Sequence, residues 1–125
     1  GQRLASAGMD QTIVVWSVRT GRSAATLSRG HAERVTGLAL SPKGNLLASA
    51  DRNGVVLLWN PRRRRPIRRL VAHRTAVEHL AFSADGRQLA TVSSGKGAWV
   101  WAVPTGQPLL KVDATDGSSA SPVRA

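Results

Sequence analysis

The 125-residue chain has no cysteine and no tyrosine, a single phenylalanine and only seven acidic residues. Without cysteine there is no disulfide, no thiolate metal site and no cysteine nucleophile. That composition fits a reducing compartment, and a cytoplasmic setting is the expectation. The longest uninterrupted apolar run is the six residues 98–103, far short of the roughly 20 that a membrane-spanning helix needs. The opening residues, GQRLASAGMD, lack the apolar core of a signal peptide, so no membrane partner is expected. Acidic residues are scattered singly (Glu33, Asp51, Glu78, Asp85, Asp113, Asp116), with no close pair for acid–base work. His31, His73 and His79 show no ligand spacing, and neither a metal nor a cofactor is implied. The glycine cluster SSGKG lacks the spacing of a phosphate-binding loop and a following helix.

What the chain has in excess is positive charge. Eighteen Lys and Arg, fifteen of them arginine, give a net charge of +11 and a pI near 11.9. Such a field attracts anionic partners. A coding bias toward arginine would raise the charge equally well without selecting any partner. Apolar residues at 42% suit a folded chain.

The stronger signal is an internal repeat. GQRLASAGMDQTIVVWSVRTGRSAATL from Gly1, GNLLASADRNGVVLLWNPRRRRPIRRL from Gly44 and GRQLATVSSGKGAWVWAVPTGQPLLKV from Gly86 fall into register. Trp16, Trp59 and Trp101 coincide at steps of 43 and 42 residues, as do Leu4, Leu47 and Leu89. His31 and His73 each open a further match, HAERVTGLALSPKG with HRTAVEHLAFSADG. Each unit of about 42 residues reads as four short strands, A to D, separated by Gly, Asn, Asp and Pro turns, with no helical periodicity. Residues 35–40 and 77–82 are expected as A strands, 46–50 and 89–92 as B strands, and 55–59 and 98–101 as C strands. The predicted class is all-β.

A unit of this length, with a His before its first strand and a Trp ending its third, resembles the WD-repeat family of β-propellers. The resemblance covers essentially the whole chain. It implies blades of four antiparallel strands packed radially against one another, in an incomplete propeller of about three blades where closed ones have about four to eight. Residues 1–30 would be a blade lacking its A strand, 31–72 and 73–112 full blades, and 113–125 a linker and the start of a further A strand, with Val123 matching Val35 and Val77. End blades without polar caps would leave apolar surface for the remaining blades of a longer chain or for self-association.

In the resembled family a His, a Ser or Thr, an Asp and the Trp form a hydrogen-bonded set within each blade. Carried over by position, His31, Ser49, Asn53 and Trp59 fill one set, with Asn53 in place of the Asp. His73, Thr91 and Trp101 fill a second, in which Gly95 stands where the carboxylate would be. Ser6, Asp10 and Trp16 fill part of a third. Because these residues recur at the blade period, they are read as structural rather than as a hydrolase triad, and no enzyme is expected. His79 is read as a satisfied or solvent-facing A-strand residue.

Two features stand apart. Trp99 occupies the position of Val14 and Leu57 and shares a strand face with Trp101 by the two-residue period; it serves either as packing, together with the Lys96 and Lys111 stems, or as an aromatic anchor for a partner. Arg62, Arg63, Arg64 and Arg65 align with RTGR and PTGQ, the turn between strands C and D, and Arg64 replaces Gly21 and Gly106. Pro66, Arg68 and Arg69 fall on the outermost strand, where charge and proline guard a sheet edge. The expected function is a non-enzymatic scaffold whose loops bind protein partners. The alternative is electrostatic binding of nucleic acid or acidic protein through residues 62–69 and Arg74, although no aromatics are interleaved there for base stacking.

Overall fold

The computed structural model describes residues 3–8, 12–27, 31, 34–63, 65–71, 75–93, 97–103, 105–112 and 120–122. Among these there are strands and turns and no helix, so none is long and apolar enough to cross a membrane. The first sheet is β1 (Arg3–Ala7), β2 (Ile13–Ser17) and β3 (Ser23–Leu27) in that order. The second runs β4 (Val35–Leu40), β5 (Leu47–Asp51), β6 (Val55–Asn60) and β7 (Arg65–Val71). The third contains β8 (Val77–Phe82), β9 (Gln88–Ser93), β10 (Gly97–Ala102) and β11 (Gln107–Val112), with β12 (Ala120–Pro122) added beyond β11. Neighbouring strands are antiparallel throughout. The all-β expectation holds, and the A strands start and stop where the sequence puts them.

Period-two alternation explains how the sheets stack. On β5 and β6, Leu47, Leu57 and Trp59 point toward the first sheet and join Ile13, Val15, Ala25 and Leu27 in one core. The intervening residues Ala48, Ala50, Val56 and Leu58 point the other way, with Leu70, and pack on Val77, Leu89 and Trp101 of the third sheet. The middle sheet is thus buried on both faces. The outer sheets are covered on one face only, and Leu4, at 59% exposure, and Trp16, at 36%, lie on the uncovered face of the first.

Each sheet carries the same irregularity. The C–D ladder shifts register just before the tryptophan, which then pairs with Ser23, Pro66 or Pro108. In the second and third sheets the bulge accommodates a proline that has no N–H to give the ladder; in the first the same shift falls opposite Ser23. A second shift in β4 leaves Thr36 outside the ladder, and its hydroxyl donates across the sheet junction to Val77 O at 2.6 Å.

Residues Ala120–Pro122, which end the expected linker and lead into the expected further A strand, pair at the outer edge of the third sheet, with Pro122 opposite Leu110. Edge pairing satisfies backbone groups of β11 that would otherwise face solvent. Val123 is outside the described residues.

The A–B turns are held by side chains. In the third sheet Asp85 accepts from Ser83 Oγ and from the backbone N of Arg87. These two bonds, chiefly the first, and the neighbouring Arg87 charge hold its carboxyl below the ordinary carboxylate value. A depressed pKa contributes stability that is present above the unfolded-state value of about 4 and disappears as pH falls through the folded value. Asp85→Asn should therefore flatten the acid arm of a plot of denaturation midpoint against pH. An unchanged acid arm would refute the assignment.

Candidate functional site

The densest cluster of chemistry-bearing side chains lies at the junction of the first two sheets. On β5, Ser49 and Asp51 are two residues apart and share the face that carries Leu47. His31 precedes β4, and its ring lies between them. Its Nδ1 is 2.9 Å from Asp51 Oδ2 and its Nε2 is 2.5 Å from Ser49 Oγ. Trp59, on the neighbouring strand β6, donates its indole N–H to Ser49 Oγ at 2.7 Å. Donor and acceptor counts close: a carboxylate accepts, so His31 donates from Nδ1, and Ser49 receives from Trp59 while its own proton is free for His31 Nε2. All four residues are buried, and no buried side-chain polar atom among the described residues lacks a partner.

The carboxylate in this set is Asp51, not Asn53. Asn53 is exposed in the B–C turn, where its backbone N, together with that of Val55, donates to Asp51 Oδ1 at 2.8 and 3.1 Å. Asp51 therefore links the ring to the turn with one oxygen for each. The signal that could have found it was the two-residue spacing from Ser49, which puts Ser49 and Asp51 on one strand face and leaves Asn53 beyond the strand.

The other sets are thinner. Trp101 donates to Thr91 Oγ1 at 3.1 Å, buried in the second junction. Ser93 occupies the Asp51 position and interacts with Thr75 Oγ1 and Ala76 O, so a hydroxyl pair replaces the carboxylate. Trp16 donates to Ser6 Oγ at 2.9 Å on the uncovered face of the first sheet. His73, Gly95 and Asp10, named for these sets, lie outside the described residues, as do Lys96, Arg64 and Arg74.

A Ser–His–Asp order is that of a hydrolytic triad, but access decides otherwise here. Ser49 has no exposed surface, and its oxygen already takes the Trp59 N–H and faces the His31 ring. A nucleophile must reach its substrate within contact distance, and this one is sealed between two sheets. Among the described residues no group of three His, Asp or Glu side chains could hold a metal ion. His79 is exposed on β8.

For Trp99 the structure shows the packing that was one of its two readings. The residue is half-buried in the second junction, stacked on Trp101 with centroids 5.4 Å apart, and Lys111 Nζ lies 5.5 Å from its ring. The arginines do lie outside. Arg62 and Arg63 are exposed in the C–D turn, and Arg68 and Arg69 are exposed on β7. Arg65 belongs to β7 rather than to the turn, opposite Asn60. The glycines that Arg64 replaces have φ of +71° and +81°, the left-handed region that penalises a Cβ.

The family profile "WD domain, G-beta repeat" matches residues 21–60 and 64–102. The mouse protein "U3 small nucleolar RNA-interacting protein 2" is 36% identical over 93 residues, 66% of this chain and 20% of that protein. Mouse "Pre-mRNA-processing factor 19" is 31% identical over 119 residues, 94% of this chain and 23% of the relative. Among solved structures, the RRP9 WD40 repeats superpose with a TM-score of 0.80 at 30% identity, covering 90% of this chain and 35% of that one. The chain thus spans about a fifth of the length of these curated relatives.

Proposed function

This chain belongs to the WD-repeat family, and from that premise we propose that it is part of a non-enzymatic propeller scaffold that presents its turns and outer edges to protein partners. WD-repeat proteins generally act as interaction scaffolds. The observation that carries the reading for this chain is how its reactive side chains are used. His31, Ser49 and Asp51 are consumed in a buried set that holds one blade together, while Arg62 and Arg63 on the C–D turn and Arg68 and Arg69 on the outermost strand are exposed. A rigid sheet framework holding turns in place is suited to recognition. Relatives named for a small nucleolar RNA and for pre-mRNA processing favour an RNA-handling assembly, nuclear ones included, over a strictly cytoplasmic setting.

A second reading rests on Arg62, Arg63, Arg68 and Arg69, exposed along one outer edge: direct electrostatic binding of nucleic acid. The two readings separate in one experiment. The whole protein is recovered from cells through a tag, with and without ribonuclease treatment. The scaffold reading expects the same set of proteins in both. Loss of every partner on ribonuclease treatment overturns it. If Arg62→Ser, Arg63→Ser, Arg64→Ser and Arg65→Ser together also lower the log–log salt slope for RNA binding by about 3–4, the second reading replaces it.

A further inference from the structure

The outermost strand of the second sheet, β7, carries a concentration of charge that its counterparts lack. Its sequence RPIRRLV holds Arg65, Arg68 and Arg69, and Arg62 and Arg63 precede it in the C–D turn. Of the matching strands, β3 holds no cation and β11 holds one, Lys111. A uniform arginine bias does not single out one edge in this way. No acidic residue occurs between Val55 and Val71, and among the described residues none of Arg62, Arg63, Arg68 and Arg69 is in an ion pair. The second sheet has all four of its strands and is covered on both faces, yet the outer edge of β7 pairs with nothing among the described residues.

Arg68 and Arg69 stand on opposite faces of that edge. Arg68 pairs with Leu58, which packs on the third sheet, and Arg69 pairs with Leu57, which packs on the first. In the other two sheets the Arg68 position holds Ala25, which is buried, and Leu110, which is half-buried. Arg68 Cγ and Cδ lie 3.7 Å from where a Cβ on Gly106 would be, in the C–D turn of the third sheet. The stem is thus laid against the neighbouring blade while the residue stays exposed. A stem already packed loses less freedom when the head binds.

An outer edge offers backbone N–H and C=O groups to any extended chain, and the charge on it selects which chain can come. A second copy of this protein would bring its own arginines against these, which disfavours self-pairing. An acidic chain meets the opposite condition. In an added strand, consecutive side chains alternate between the two faces. Two adjacent carboxylates would therefore reach Arg68 on one face and Arg69 on the other.

We propose that β7 accepts an acidic, extended segment of a partner protein as an added strand of the second sheet, with consecutive carboxylates on Arg68 and Arg69 and the acidic run continuing toward Arg62 and Arg63. Charge-assisted bonds to guanidinium groups are the strong ones, and the main-chain ladder supplies the rest of the affinity. A single-stranded nucleic acid fits less well. It has no peptide groups to extend the ladder, and Trp59 on the neighbouring strand is 1% exposed and gives bases nothing to stack on. The proposal rests on the scaffold reading and adds the chemistry and backbone form of one partner segment.

The test is fluorescence anisotropy on the full chain with a labelled peptide of consecutive glutamates flanked by threonine and valine. The same peptide, N-methylated throughout the glutamate run, keeps its charge but cannot form a ladder, and should bind about tenfold more weakly. This comparison leaves the protein unchanged. Arg68→Gln with Arg69→Gln should weaken binding of the unmodified peptide about tenfold. Arg19→Gln with Arg22→Gln, which removes the same charge from an exposed turn of the first sheet, should change it by about twofold or less. Equal binding of the two peptides, or equal weakening by the two variants, would assign binding to the diffuse field and overturn the strand addition. Tighter binding of a uridine oligonucleotide of equal charge, lost in the Arg68→Gln, Arg69→Gln variant, would overturn it in favour of nucleic acid. Absence of peptide binding, while the whole protein still recovers ribonuclease-resistant partners, would sink this edge alone and leave the scaffold reading in place.

Discussion

Replacing Asp51 with alanine is expected to lower the stability of the chain by about 3–5 kcal/mol, the usual cost of removing one member of a buried, hydrogen-bonded pair. Asp51 accepts from three donors, His31 Nδ1, Asn53 N and Val55 N, at 2.8 to 3.1 Å. Truncation leaves the His31 ring without its partner and frees the B–C turn at once. Both would then face a buried site that water reaches poorly. Asn53→Ala removes an exposed side chain whose backbone alone takes part, and should cost about 0.5 kcal/mol or less. Urea denaturation followed by near-UV circular dichroism measures both. If Asn53→Ala proved the more damaging of the two, the carboxylate role would return to the turn and the Asp51 assignment would fall.

The second large effect compares two tryptophans at the same repeat position. Both donate to a serine hydroxyl, Trp59 to Ser49 at 2.7 Å and Trp16 to Ser6 at 2.9 Å. They differ in what covers them: Trp59 is 1% exposed in the core between the first and second sheets, and Trp16 is 36% exposed. Trp59→Ala should cost about 3–5 kcal/mol, because it removes buried area and leaves a cavity against Ile13, Val15 and Leu27. Trp16→Ala should cost about 1 kcal/mol or less. Equal losses in the same denaturation experiment would show that the first sheet's outer face is covered in solution, contrary to this assignment.

Much of the fold was legible because its determinants are local. Strand identity follows from alternation within five or six residues, and the turns follow from glycines whose backbone is left-handed, such as Gly44 and Gly86 at φ +73°. The 42- to 43-residue register of Trp16, Trp59 and Trp101 then arranges those strands into repeated sheets. The members of the buried set were legible as residue types for the same reason, since Ser49 and Trp59 stand at repeated positions. Arg65 was misplaced by one element, because a run of four arginines carries no mark of where a turn ends and a strand begins. Trp99 was left open because its face is set by the strand period, whereas its cover comes from another sheet.

By itself, then, the sequence determined the all-β class, the repeat and the strand order, along with the outward placement of Arg62, Arg63, Arg68 and Arg69. These depend on alternation, turn chemistry and register, which are written along the chain. Only the tertiary structure decided that His31 meets Asp51 rather than Asn53, and that Trp59 is sealed while Trp16 is not. Each of these depends on which strand face lies against which neighbour. That is a relation between residues far apart in sequence, settled by packing and not by any local preference.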